Sequence, residues 1–510
     1  MTGAPTQSCD VCLLIEGAYP YVAGGVSTWV HDLLRAQSDL TFHLIVLVPD
    51  RAERKLRYEL PPNVVGMSHV VLQDREPGPP WRSSLGGLLR HLVGPLIRLQ
   101  EKGGFAEVRT VLEMIAPHRR NLGAWNLLES EAAWQLVLAM YRAATPGRSF
   151  LNYYWSWRSL IGGMFATLLA PLPSARVYHA ISTGYAGLMA TRARIETGRP
   201  VMLTEHGIYT NERRIEIMMA EWLRDDAAAG LAIEREGRDL RDIWIDTFES
   251  YARACYASCD RIITLYEGNQ ELQRRDGAAE DRLLLVPNGV DVPRYSAIPR
   301  RPAARPTIAL IGRVVPIKDV KTFIRACAQL RRAVPDLRAL VMGPTDEDED
   351  YYEECRTLVA HEKLGDTLEF LGRVRLDDYL GEIDAIALTS ISEAQPLVIL
   401  EAGAAGVPTV ATDVGACRQM LLGQRDEDPP LGPGGAITPL ANPAATAHEL
   451  GRLLTDRAWH DRCAGAIAER CRLYYDKDRI DRIYHDLYVE LADAPGVAPD
   501  VPVDPRARVA

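Results

Sequence analysis

Short apolar runs recur along this chain, each followed by a loop and then a segment of helical spacing, and the series starts twice. The first start reads VCLLIEG, then the glycine-rich AYPYVAGG, the helical VSTWVHDLLRAQ and a second run, FHLIVLVP. The runs are apolar throughout rather than alternating, so their strands are expected to be buried on both faces, as in a parallel α/β sheet. The signals return at ARVYHA, PVMLTEHG, DRIITLY and LLLVPNGVD. The second start reads TIALIGRV, DVKTFIRACAQLRRAV and LRALVMG, and continues through LEFLGRV, IDAIALTS and PTVATD.

The chain has 510 residues, enough for two or three domains with buried cores. From about 74 to 170 the strand signals give way to helical segments rich in Trp, Leu and Arg, read as an insertion. Five prolines fall within PNGVDVPRYSAIPRRPAARP, residues 287–306. Proline fixes φ and lacks a ladder N–H, so this stretch is expected to be an extended interdomain connector. The expected division is a first domain over 1–296 and a second over 297–475. A helix over 476–492, DKDRIDRIYHDLYVELA, could cross back to the first domain. A proline-rich tail over 493–510 is expected to be disordered.

The formal charge of −10 argues against a general nucleic-acid binder while leaving room for a local basic site. The opening MTGAPTQSCDVCLLIEG lacks the basic n-region of a signal peptide, and no run approaches ~18 apolar residues, so a cytoplasmic protein is expected. Cys9 and Cys12 have CxxC spacing but lead into a strand rather than opening a helix. With no second pair nearby, all nine cysteines are read as structural or incidental.

In doubly wound sheets, ligands bind beyond the carboxyl ends of the strands, so the loops there carry the functional reading. SEAQPLVILEAGAAGVPTVATDVG, residues 392–415, places Glu393 after the strand IDAIALTS and Pro396 at the first turn of a helix. That helix start, with the N–H groups of Leu397 and Val398, favours an anion, and Glu401 lies about one and a half turns further on. A cap and a solvated face would explain two glutamates equally well. GRVVPIKDV, residues 312–320, projects Arg313 and Lys318 from the end of another strand. VAGGVSTW brings Gly24 and Gly25, which allow close backbone approach. TEHGIYTNER ends a strand at His206, and VYHA brings His179 as a weaker candidate.

In this order, the motifs resemble the retaining glycosyltransferases of family 4, whose signature is Glu-x7-Glu; Glu393 and Glu401 have that spacing. The resemblance implies a GT-B fold: two facing Rossmann-like domains with parallel sheets, here with a helical insertion in the first. It also implies a UDP-sugar donor, with Arg313 and Lys318 on the diphosphate, Glu401 on the ribose hydroxyls and Glu393 on the donor sugar. His206 meets the sugar from the first domain, which is also the acceptor side. Gly24 and Gly25 match the family's Gly-Gly loop, and Arg373 and Val374, in LEFLGRV, fall where the family cradles the base. No cofactor and no metal are implied. TDEDEDYYEE, residues 345–354, contains Asp-x-Asp, but it opens a helix, where acidic residues oppose the dipole.

The resemblance further implies exopolysaccharide synthesis in the cytoplasm, with a polysaccharide acceptor and inner-membrane synthase components as partners, through which the protein would sit peripherally at the membrane. The chain departs from the family in reading EAQPLV where Glu-x-Phe-Gly-Leu is common, and in carrying Gln419 where the last loop often has Glu. The aromatic cluster FLNYYWSWRS, residues 150–159, could stack on acceptor sugars, but anchoring the insertion is the preferred reading. Two alternatives remain: a non-catalytic nucleotide-sugar- or partner-binding subunit, and a GT-B nucleotide-sugar epimerase.

Overall fold

The computed structural model describes residues 8–17, 19–73, 85–146, 148–219, 238–301, 304–425 and 427–501. The chain divides into two units. One comprises Met1–Thr264, Asn269–Leu285 and Tyr484–Ala510; the other comprises Leu265–Gly268 and Val286–Ile483.

The first unit is built on seven strands: β1 Cys9–Glu16, β2 Phe42–Val48, β3 Val64–Val71, β4 Ala175–Ala180, β5 Val201–Glu205, β6 Arg261–Thr264 and β7 Leu283–Leu285. They lie in the order β3-β2-β1-β4-β5-β6-β7, and every pairing is parallel. The second unit holds β8 Thr307–Ile311, β9 Arg338–Met342, β10 Leu368–Gly372, β11 Ala385–Leu388, β12 Thr409–Thr412 and β13 Gly435–Thr438. Their order is β10-β9-β8-β11-β12-β13, again all parallel. In both sheets the order reverses beside the first strand, at β1/β4 and at β8/β11, which is the crevice where such sheets take ligands.

Residues 74–84 of the expected insertion lie outside the described residues. Residue 147 does too; the remaining described residues are mostly helical, from Leu85–Lys102 to Phe150–Leu169, between β3 and β4. It belongs to the core of the first unit: Leu92, Leu96, Val111, Trp157, Leu160 and Met164 join Met189, Tyr251 and Cys255 in one buried cluster. The helix Phe150–Leu169 divides the aromatic cluster. Tyr153 and Trp157 are 1% exposed, whereas Leu151 is 63% and Trp155 58% exposed. Helical spacing places 153 and 157 on one face and 151 and 155 on another.

The 287–306 stretch is not a free connector. Val290 N–H donates to the Tyr475 carbonyl at 2.8 Å. Asp291 caps the short helix Val292–Ser296, in which Pro293 takes a position that needs no N–H. Arg300 donates Nη1 to the carbonyls of Leu380 and Ile383 at 3.0 and 2.6 Å. These bonds tie the stretch to the second unit, whose boundary falls at Val286 rather than near 297. The proline-rich tail likewise departs from the expected disorder up to its last described residue. Val497 N–H donates to the Gly198 carbonyl and Asp500 N–H to the Ile195 carbonyl, at 3.0 and 2.9 Å. Carbonyls at the end of the helix Tyr185–Thr197 have no intrahelical partner, and the extended tail supplies donors. Residues 502–510 lie outside the described residues.

The last helix, Lys477–Asp493, is shared: it belongs to the second unit up to Ile483 and to the first from Tyr484. Tyr488 packs edge-on against Phe42 and His179 in the first unit. No described helix is long and apolar enough to cross a membrane.

Trp157→Ala should destabilise the first unit by ~3–5 kcal/mol, because it empties a well-packed site. Trp155→Ala, two residues away on the exposed face, should stay within about 0.5 kcal/mol of wild type. Urea unfolding of both variants measures the contrast.

Candidate functional site

In the second unit, β8 leads through Gly312 into the 3-10 turn Pro316–Lys318. Asp319 follows with φ 43°, a left-handed conformation that Asp tolerates, and its side chain caps the helix Val320–Leu330 by accepting from Thr322 N. The turn is stitched to the segment leaving β11. The Thr389 hydroxyl donates to the carbonyls of Lys318 and Asp319 at 3.1 and 2.9 Å, and Ile391 N–H donates to the Ile317 carbonyl at 2.8 Å. These ties bring Lys318 to Glu393. Nζ donates to Oε1 at 2.5 Å, and the Ser390 hydroxyl donates to the same oxygen at 2.6 Å. The side chains are 21% and 12% exposed, so removing either partner leaves a partly desolvated charge.

The backbone around Glu393 is held from two sides. Ala416 N–H donates to the Ala394 carbonyl at 2.8 Å. Gly415 has φ 51°, and a Cβ there would meet the Glu393 carbonyl oxygen at 2.2 Å. On the other side, the Gln395 side chain accepts from Asn288 N–H at 2.6 Å, which fastens the PNG turn to the loop. The departure at EAQPLV therefore has a structural use: Gln395 is buried and bonded where the family often carries an apolar residue. Pro396 then precedes the helix Leu397–Ala404, whose first N–H groups, at Leu397 and Val398, point out of the positive helix end.

Glu401 does not lie on an open rim. Tyr295 hydrogen-bonds to its carboxylate, with Arg294 and Asp377 nearby. Burial raises the Glu401 carboxyl above the usual carboxylate range, and the Tyr295 hydrogen bond works against that rise. Arg294 packs over the Tyr295 ring at 4.9 Å and pairs with Asp377 at 2.7 Å. Tyr295 and Ser390 were missed by sequence reasoning. The signal for Tyr295 lay in PNGVDVPRY, which was read as a connector; Ser390 sits three residues before Glu393 with no mark of its own.

The two arginines are occupied. Arg313 Nη1 meets Glu347 Oε2 at 2.8 Å, and Arg373 Nη2 meets Asp346 Oδ1 at 3.3 Å. All four side chains are exposed, so these pairs contribute little and yield readily to a stronger anion. The acidic run thus has two parts. Asp348 caps the helix Glu349–His361, as expected of residues opposing a dipole, while Asp346 and Glu347 face the arginines. Val374 packs with the core beneath. Among the described residues, no three His, Cys, Asp or Glu side chains are grouped to hold a metal ion.

In the first unit, Gly24 and Gly25 open the helix Gly25–Ala36 and are exposed, with nothing within 4 Å of a would-be Cβ. Trp29, in the second turn, sets its ring edge-on to His206 at 4.5 Å. Burial pulls His206 down to about 4, so the ring is neutral near pH 7, and its Nε2 is buried without a hydrogen-bond partner. His179 is no site residue. It is fully buried, Nδ1 bonded to the Tyr488 hydroxyl at 2.7 Å and Nε2 to the Thr204 hydroxyl at 2.9 Å. Both of its nitrogens are consumed in fastening the last helix to β4 and β5.

Glu401→Gln keeps an acceptor for Tyr295 but removes a carboxylate whose folded pKa is raised. A raised carboxyl binds more protons folded than unfolded, so it costs stability as pH rises above the usual carboxylate range. Glu401→Gln should therefore exceed wild type in stability at pH 7, and the gap should close near pH 4; urea titrations at the two pH values test this. Gly415→Ala should cost ~1–3 kcal/mol through strain at φ 51° and collision with the Glu393 carbonyl, read by the same titration at pH 7.

Comparison with known proteins adds to this geometry. Residues 9–281 match the model of a domain of unknown function, DUF3492, and residues 305–456 match that of glycosyl transferases group 1. Among curated proteins, the chain is similar to the D-inositol 3-phosphate glycosyltransferase of Kineococcus radiotolerans. The two are 29% identical over 240 residues, which cover 42% of this chain and 54% of that one. The protein of the same description from Nocardia farcinica is 32% identical over 216 residues, 39% of this chain and 46% of that one. The chain thus spans about half the length of the curated relatives it matches. Among solved structures, sucrose-phosphate synthase from Thermosynechococcus elongatus superposes with TM-score 0.57 at 17% identity, covering 94% of this chain and 99% of that one. Anabaena HepE in complex with UDP superposes with TM-score 0.56 at 13% identity, covering 94% and 100%. At such identities the likeness is one of fold, and the fold is GT-B, with two parallel-sheet Rossmann-like domains. The chain belongs to the DUF3492 family and joins that domain to one of the glycosyl transferases group 1.

Proposed function

We propose that the protein is a retaining hexosyltransferase that moves a sugar from a UDP-sugar to a growing exopolysaccharide. The observation that carries this reading is the Lys318–Glu393 pair, held by Ser390 directly before the N-terminus of the helix Leu397–Ala404. Cation, carboxylate and helix start together suit a leaving diphosphate joined to a sugar. As the bond to the anomeric carbon breaks, negative charge grows on the diphosphate, and preformed donors stabilise it more in the transition state than in the ground state. In this reading Lys318, Arg313 and the N–H groups of Leu397 and Val398 take the diphosphate. Glu393 takes the sugar hydroxyls, and Glu401, with Tyr295, takes the ribose. Arg373 and Val374 take the base, and Gly24, Gly25 and His206 are the candidates for substrate contact on the first unit. No covalent nucleophile is invoked. The acceptor oxygen attacks the anomeric carbon on the face that the diphosphate leaves, and its proton passes to the departing phosphate oxygen.

The finer assignment is to Pel exopolysaccharide, a biofilm polymer. The opening CLLIEGAYPYVAGGVSTWVHDL and the helical insertion resemble PelF, and the match to DUF3492 over 9–281 is compatible with this. On that assignment the protein works in the cytoplasm beside inner-membrane synthase components, with UDP-glucose as the first donor to try. HepE is described in complex with UDP-glucose, which supports testing that nucleotide sugar here.

Calorimetry with UDP, UDP-glucose, UDP-N-acetylglucosamine, UDP-N-acetylgalactosamine and GDP-mannose, without metal and then with magnesium, tests the reading. UDP and one UDP-sugar should bind without metal, and Lys318→Ala should weaken that binding by roughly tenfold or more, the loss of a charge-assisted contact. Glu393→Ala should lower transfer by ~10²-fold or more. Full transfer activity in Glu393→Ala would remove that residue from the mechanism. Failure to bind any nucleotide would favour a partner-binding subunit instead.

A further inference from the structure

At the opposite end of the first sheet, where β4 begins, the insertion meets the helix Tyr185–Thr197. Arg119, in the 3-10 turn Ala116–Asn121, reaches Glu196 with both terminal nitrogens: Nη1 to Oε2 at 3.3 Å, and Nη2 to Oε1. Arg192 donates Nε to Glu196 Oε1 at 3.0 Å and Nη1 to the Thr167 carbonyl at 2.8 Å. Arg192 and Glu196 are buried, and Arg119 is partly buried with its side chain 16% exposed. Two guanidinium groups therefore share one carboxylate in a poorly solvated place, leaving one positive charge uncompensated. Such a charge is costly to bury unless a counter-charge joins it. Burial pulls the Arg192 pKa down even though Glu196 opposes the shift, while Glu196 is held below the usual carboxylate range by the two arginines. Glu196 therefore stays ionised and keeps both arginines in place.

Beside this triad lies a cavity of about 150 Å³. Arg119, Arg192, Glu196, Ser174, Tyr178 and Arg199 are among its lining residues. Arg119 Nε is buried without a hydrogen-bond partner. Arg199 is exposed and makes no ion pair among the described residues. Three guanidinium groups against one carboxylate give the cavity a net charge of +2. The volume suits a tetrahedral oxyanion and is well below the ~300–1,000 Å³ of sites for larger ligands. Guanidinium groups match oxyanions through paired N–H donors, a geometry a monatomic halide cannot use.

We propose that this cavity binds a small tetrahedral oxyanion of the phosphate or sulfate class, held by Arg119, Arg192 and Arg199. The anion supplies the missing negative charge where the insertion joins the sheet. The site lies at the amino ends of the strands, so it stands apart from the proposed transfer chemistry and does not depend on it.

The test is calorimetric titration of the full chain with inorganic phosphate, and separately with sulfate, at constant ionic strength set with chloride. Lys318→Ala controls for phosphate taken up at the proposed donor site. Binding that survives in Lys318→Ala and weakens about tenfold in Arg199→Ala is the expected result. Arg199 is exposed, so its substitution leaves folding intact even if Arg119→Gln does not fold. Binding lost in Lys318→Ala but kept in Arg199→Ala would overturn the proposal, as would no binding of either anion over chloride.

Discussion

A strand buried on both faces must be apolar along its length, so polar chemistry is forced to the places where the chain leaves the sheet. Both sheets here obey that constraint. Lys318 follows β8, Arg373 follows β10, Glu393 follows β11 and His206 follows β5. Two polar residues inside the strands of the first unit are well bonded. Glu205, at the end of β5, accepts from the Tyr256 hydroxyl, the Gln273 amide and the Thr183 hydroxyl. His179, in β4, is bonded at both nitrogens. Burial without partners would cost more than these bonds contribute, and at Glu205 and His179 the bonds also tie separate elements together.

Those ties set the precision of the candidate site. Lys318 and Glu393 are 75 residues apart in sequence, yet they meet because Thr389 and Ile391 bond the lysine's turn to the glutamate's strand end. Gly415 lets a third loop press on the Glu393 backbone, and Gln395 fastens a fourth through Asn288. The carboxylate is thus positioned by four segments, each anchored in a parallel strand or its immediate exit. The outer cations are treated differently. Arg313 and Arg373 are paired to exposed acids on one loop, so they are held loosely and remain available to an incoming anion.

Much of the architecture was legible because apolar runs and helical spacing are strong local signals. Two strands escaped. β3, VVGMSHVV, is an edge strand interrupted by Gly66, Ser68 and His69, so it lacks a continuous apolar run. β13, GAIT, is four residues long and begins with glycine. Proline misled twice, at 287–306 and in the tail. It correctly signals a chain that cannot enter a sheet or a helix interior, but it says nothing of whether carbonyls and arginines elsewhere will hold that chain down.

The sequence by itself determined the two parallel α/β units, the helical insertion and the order of candidate residues along the strand exits, because each follows from local periodicity and chain direction. Only the tertiary structure decided which of those residues are in contact and in what state. Glu401 is shielded by Tyr295, Glu393 is paired to Lys318, His206 is neutral with a free nitrogen, and His179 is consumed by packing. Partners distant along the chain and the degree of burial set these states, and neither can be read from spacing within a motif.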